Sequence, residues 1–196
     1  MNWLAHVTLS KPDAEFRLGN LLADLVKGRD RANLPAAFLD GVRVHQVIDG
    51  FTDSHPVVHQ SRARIGPGFR HATGILIDVF YDHFLALDFE RYAGEPLAAF
   101  TAGVYAQARE CTLVLPTEAR AALDRVASDD RLGSYSTLDG MTATLRRVSL
   151  RLLERTGKDF ELERGTAELV THFDGLRDDF AAFFPELQSH VAGLLV

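Results

Sequence analysis

A chain of 196 residues with 46% hydrophobic side chains and a formal charge of -6 can bury one core and has no basic excess for gripping nucleic acid. No apolar run approaches the ~20 residues of a membrane span, and the start Met1-Asn2-Trp3-Leu4-Ala5-His6 lacks the basic head and long apolar stretch of a secretory signal. The single cysteine, Cys111, excludes an intramolecular disulfide and a thiolate-rich metal site, so a reducing, cytoplasmic protein is expected.

Apolar residues recur at helical spacing along the whole chain, and no alternating Val/Ile/Thr run between turn signals predicts a strand. A first helix is expected from Asp13 to Gly28, with Phe16, Leu21, Leu22 and Leu25 on its apolar face and Gly28 as its stop. Leu34-Pro35 opens a second, running to about Phe51. Ser54-His55-Pro56 breaks the chain before a short helix to about Arg64, and Gly66-Pro67-Gly68 reads as a loop. The segment from His71 to about Asp88 is apolar on every face, which places it at the centre of a bundle. Helices follow over Pro96 to Leu115, from a Thr117-Glu118 cap to Ser128, and from Leu138 to Thr156 with Gly157 behind it. The tail reads as one long helix from Glu161 ended by Phe184-Pro185, then a short final one. The expected architecture is a single all-α domain over 1–196.

Acids and histidines stand at helical spacings inside these apolar segments. Asn20 and Asp24, His45 and Asp49, and Asp78 and Asp82 are each four apart, with His83 beside the last. Residues four apart share a helix face, so three helices each offer a pair of oxygen or nitrogen donors on one stripe. Taken singly, each such residue is more often a cap or a satisfied core polar group; Asp53 in particular fits a cap for the helix starting at Pro56 as well as a ligand. His59 and His71 suit a supporting or surface role, His172 and His190 a structural one. Together the stripes favour a metal site, because unpaired carboxylates among Leu, Val, Ile and Phe are costly and a divalent cation compensates them. Oxygen ligands with imidazoles suit Mn²⁺, Mg²⁺ or Fe²⁺, and such an ion can polarise a phosphoryl oxygen and activate water. No serine sits in a nucleophile-elbow context, and no sequence neighbour would activate Cys111. Residues 141–158 carry Arg146, Arg147, Arg151, Arg155 and Lys158 against one acid, Glu154, which reads either as a solvated face or as a dock for an acidic partner.

The same residues carry a family likeness. Met1-Asn2-Trp3-Leu4-Ala5-His6, the run Gly19 to Gly28, the run Gly41 to Asp49, Phe51-Thr52-Asp53-Ser54-His55-Pro56 and the run Asp78 to Leu85 resemble, in order, blocks of the acyl carrier protein phosphodiesterases. A weaker likeness continues through Leu132-Gly133-Ser134-Tyr135 and Gly140-Met141 to Phe183-Phe184-Pro185-Glu186-Leu187. The resemblance implies a helical fold related to the HD-domain phosphohydrolases, a divalent metal with manganese favoured, and hydrolysis of the phosphodiester joining 4′-phosphopantetheine to a serine of holo-acyl carrier protein. Its pattern falls on His6, Asn20, Asp24, His45, Asp49, Asp53, His55, Asp78, Asp82 and His83; of these, His6, Asn20, Asp53 and His55 are expected in catalytic roles and Asp24, His45, Asp49, Asp78, Asp82 and His83 as metal ligands. It also gives the arginines of 141–158 a purpose, with Arg146, Arg147 and Arg151 expected to dock the acidic carrier protein. Two departures stand out: Gln46 occupies a position where the family usually has Arg, and the only adjacent His/Asp pair is the reversed Asp82-His83. A phosphohydrolase for a small phosphoester or nucleotide, and a helical binding module without catalysis, are the alternatives the residues leave open.

Overall fold

The computed structural model describes residues 1–195 and is all-α, with no strand among the described residues. Among the described residues eleven α-helices follow in chain order: α1 Trp3–Thr8, α2 Ala14–Leu22, α3 Ala36–Ser54, α4 Pro56–Arg64, α5 Thr73–Leu87, α6 Phe89–Ala93, α7 Leu97–Glu110, α8 Thr117–Ser128, α9 Leu138–Thr156, α10 Thr166–Thr171 and α11 Phe173–Ala192. Short 3₁₀ turns link several of them, including Pro67–Phe69 in the expected loop. One continuous hydrophobic core runs from Met1 to Val191.

Helix α5 lies at the centre, as its all-round hydrophobicity predicts. Leu76, Ile77, Val79, Phe80, Tyr81 and Leu85 are fully buried, and the helix packs against α1, α4, α9 and α11. Around it, Asp179 of α11 accepts from Gln60, Ser61 and Arg64 of α4 at 2.7–3.2 Å, so a buried carboxylate with charged and polar donors clips the last helix to the fourth.

Helices α2 and α3 meet backbone to backbone. A Cβ at Gly19 would overlap the Phe38 carbonyl oxygen, and one at Gly41 would overlap that of Phe16. Only glycine permits this approach. It brings the last turn of α2 against the middle of α3, where His45 stands.

Several boundaries depart from the sequence pattern. Helix α2 starts on Asp13, whose side chain accepts the Phe16 N–H at 2.8 Å, but it ends at Leu22 rather than Gly28. Beyond it Arg31 reaches back to the carbonyls of Ala23 and Val26 at 3.0 and 2.7 Å, satisfying them in a turn where a helix would have used backbone N–H groups. Helix α7 stops at Glu110, and Arg120 ties the following extended segment through the carbonyls of Cys111 and Leu113. Pro116, not Thr117, stands at the N-cap of α8. In the tail, Pro185 does not end a helix but lies inside α11, held there by the packing of Phe180, Phe183, Phe184 and Leu187 in the core. Tertiary burial outweighs the lost backbone bond at that position.

Candidate active site: an imidazole and carboxylate cleft

The site begins with a helix too short to stand alone. Helix α1 has six residues, fewer than an isolated helix needs, and its first turn is held from outside. The Asn2 side chain accepts the Trp3 N–H at 2.8 Å. Asp82 of α5 accepts those of Leu4 at 2.7 Å and Ala5 at 3.2 Å. Burial pushes the Asp82 carboxyl up to about 7 against the opposing pull of these N–H groups and of the Met1 α-amino group. With its start anchored, α1 aims His6 inward, where it is 1% exposed.

Asn20 then sets both histidines. Its Nδ2 donates to the His6 carbonyl at 2.8 Å and to Ser10 Oγ at 2.9 Å, which leaves Oδ1 as the acceptor facing His6 Nδ1 at 2.9 Å. An amide oxygen only accepts, so His6 carries its proton on Nδ1. The end of α2 at Leu22 leaves the Asn20 carbonyl without an i+4 partner, and it accepts from His45 Nδ1 at 2.8 Å. His45 is therefore the same tautomer. The two rings stack at 4.0 Å, and both Nε2 atoms are buried without a hydrogen-bond partner.

Both Nε2 lone pairs face Asp49, one turn after His45 on α3. Its Oδ1 lies 3.2 Å from His6 Nε2 and its Oδ2 3.1 Å from His45 Nε2. Burial raises the Asp49 carboxyl, but the attraction of the imidazoles in their protonated form and of the Met1 α-amino group outweighs it and holds it well below the usual carboxylate range. Burial lowers His6 first, and the neighbouring His45 lowers it further despite the attraction of Asp49. An ionised carboxylate thus faces the unprotonated Nε2 atoms of two rings stacked at 4.0 Å. One nitrogen from His6, one from His45 and one oxygen from Asp49 lie within 4.8 Å of one another. Such a donor set fits a divalent cation, with each ring oriented through its other nitrogen.

Around this cluster an open cleft is lined by Met1, Trp3, Asp24, Asp53, Asp78 and Arg151, among others. Asp24 lies in the turn after α2, not on the helix, yet its Oδ2 comes 3.8 Å from His45 Nε2. Asp78 Oδ1 pairs with the Met1 α-amino group at 3.1 Å.

Other expected site residues do different work. Asp82 shares a stripe with Asp78 but lies fully buried under α1, where its oxygens are taken by backbone N–H groups. His83 points away from the cleft, with Nδ1 donating to the Tyr135 carbonyl at 2.6 Å. Asp53 lines the cleft and pairs with Arg62 at 2.6 Å; it caps nothing, because His55 is the N-cap of α4 and accepts the Val57 N–H through Nδ1. His55 itself is held between Phe51 and Phe183 and pairs with Glu186 at 3.2 Å, outside the cleft lining. Gln46 is exposed and absent from that lining. The basic residues of α9 divide between two faces. Arg146 is exposed while Arg147, about 100° further round the helix, turns inward and donates to Thr144 at 2.6 Å. Sequence spacing missed Trp3 and Arg151 as cleft residues, because both enter from elements that carry no donor pair.

A family model described as acyl carrier protein phosphodiesterase matches residues 1–187. A protein of that name from Salmonella dublin is 31% identical over 195 residues, which is 98% of each chain. Those from Salmonella agona (strain SL483) and Salmonella newport (strain SL254) are 30% identical over the same length. No solved structure matches the chain.

Proposed function

The chain belongs to the acyl carrier protein phosphodiesterase family, and from that premise we propose that it hydrolyses the phosphodiester between 4′-phosphopantetheine and the serine of holo-acyl carrier protein at the His6–His45–Asp49 cleft. The observation that carries this reading is the pair of Asn20-locked imidazoles with both Nε2 lone pairs turned on one ionised carboxylate. His6, His45 and Asp49 would hold a divalent cation, Mn²⁺ by preference, and Asp24 and Asp78 would border it. Once bound, the ion supplies Lewis acidity toward a phosphoryl oxygen and makes water a better nucleophile at neutral pH. Trp3 and Val148 add apolar surface to the cleft lining, and Arg151 adds the positive charge that a phosphodiester anion needs.

An acidic carrier protein would meet the outer face of α9, where Arg146, Arg151 and Arg155 are exposed beside Leu150 and Leu153. Such rim charges act on encounter rate and salt dependence. Mass spectrometry of holo-acyl carrier protein after incubation tests the function. Loss of the phosphopantetheine mass, abolished by a chelator, restored by Mn²⁺ and absent in Asp49→Asn, is the expected result. Intact holo-protein with turnover of a small phosphodiester would move the assignment to a small-substrate phosphohydrolase. Arg146→Glu should raise KM for the carrier protein and flatten its salt dependence while sparing a small chromogenic phosphodiester. An equal loss on both substrates would remove α9 as the dock.

A further inference from the structure

The cleft does not end at its carboxylates. A second pocket adjoins it, sharing Asn2, Trp3, Val148 and Arg151 with it and adding Arg131, Arg147, Tyr135 and Thr144. Three guanidiniums therefore line this pocket and no carboxylate does. Arg131 has an 11% exposed side chain and lies against Asp129, its Nη2 at 2.9 Å and its Nε at 3.2 Å from one oxygen. Arg147 is half-buried and forms no ion pair among the described residues; its one side-chain bond is to the neutral Thr144 hydroxyl. Arg151 lines both pockets, also without an ion pair among the described residues. Burying like charges together costs free energy unless an anion offsets it, and burial together with Arg131 weakens the hold of Arg147 on its own proton. Guanidinium forks match the oxygens of phosphate better than any other side chain does.

We propose that Arg131, Arg147 and Arg151 form a phosphate-binding pocket adjoining the His6–His45–Asp49 cleft. Its use as a subsite for the phosphomonoester that the reaction releases rests on the function proposed above; its affinity for phosphate does not. Of the two adjoining pockets, one is lined by carboxylates and imidazoles that suit a cation, the other by arginines that suit a dianion. Hydrolysis of a phosphodiester turns a monoanion into a phosphomonoester dianion, so the arginine pocket holds product more strongly than substrate and sets the rate of its release.

Isothermal titration of the full chain, as purified and again with a chelator present, tests this with inorganic phosphate in one arm and 4′-phosphopantetheine in the other. Binding of both that survives the chelator, weakens ~10-fold or more in Arg147→Gln and keeps part of its strength in Arg147→Lys is the expected result. Tighter binding of 4′-phosphopantetheine than of phosphate would mark the pocket as a product subsite; equal binding would restrict it to a phosphate site. Arg125→Gln, an exposed arginine on α8 outside both pockets, controls for overall charge. The proposal is overturned by no binding, by binding that vanishes with the chelator, by an unchanged Arg147→Gln, or by an equal loss in Arg125→Gln. Circular dichroism of each variant separates a lost site from a lost fold. Because phosphate binding is read without carrier protein, its failure and that of the proposed activity are seen apart.

Discussion

Replacing Asn20 by Ala removes a side chain that touches no substrate and should still weaken metal binding. The residue is fully buried and makes three side-chain hydrogen bonds, to His6 Nδ1, the His6 carbonyl and Ser10 Oγ. At ~0.5–1.5 kcal/mol each, their loss costs about 2–4 kcal/mol, less because Ser10 already donates to the same carbonyl at 2.8 Å. Alanine gains roughly 0.5 kcal/mol in helix propensity at this position. The net loss is about 1–3 kcal/mol, or ~3–10 °C in Tm for a chain of this length. The larger effect is on tautomer. Without Oδ1 the His6 proton moves to Nε2, where Asp49 accepts it, and the lone pair is no longer turned into the cleft. Removal of such an orienting partner typically costs ~10–100-fold in metal affinity. Competition with a chelating dye measures the affinity, and calorimetric melts with and without Mn²⁺ measure the stability. Wild-type affinity in a destabilised Asn20→Ala would refute the reasoning, because it would make Asn20 a core residue with no hold on the ligand geometry.

Two other perturbations follow from the same geometry. Asp82→Ala strips the acceptor from the buried N–H groups of Leu4 and Ala5 and should cost about 2–4 kcal/mol in urea denaturation, with Asp82→Asn recovering roughly half; wild-type stability in the alanine variant would mean that α1 holds its position without α5. His6 is depressed below its ordinary value of 6.5, so the unfolded chain takes up a proton that the folded one refuses; stability should therefore fall as pH drops below 6.5, metal affinity should fall over the same range, and His6→Gln should flatten the stability profile. A stability profile as steep in His6→Gln as in the wild type would place the titrating group elsewhere.

The helices were legible because burial leaves a 3.6-residue period, and α5 showed its central place by having no polar face. What the pattern hid was local structure decided from a distance. Helix α1 is too short to show a period and owes its first turn to Asp82, 77 or more residues away in sequence. Leu25 extends the apolar face of α2 past its true end, and nothing in the spacing shows that the Asn20 carbonyl is needed by His45. The paired spacing singled out His45 and Asp49, which do meet, since one regular helix carries both. It could not separate Asp78 from Asp82, one turn apart on one stripe, because the difference between cleft and core lies in what α1 covers. His6 came from the family resemblance rather than from spacing, since its partners lie on other helices.

The glycines between α2 and α3 extend the consequences of this arrangement beyond its chemistry. Asn20 and His45 communicate through a backbone oxygen, so their bond is only as accurate as the separation of the two helix axes, which Gly19 and Gly41 set. In a mutational scan selected for turnover, these two positions would be depleted as severely as the ligands themselves, although neither carries a reactive atom. A single added methyl at either would be felt as a tilt of the His45 ring. Directed evolution of this scaffold toward new phosphoesters therefore has freedom in Trp3, Val148 and the arginines of the far pocket, and almost none in the α2–α3 seam beneath them.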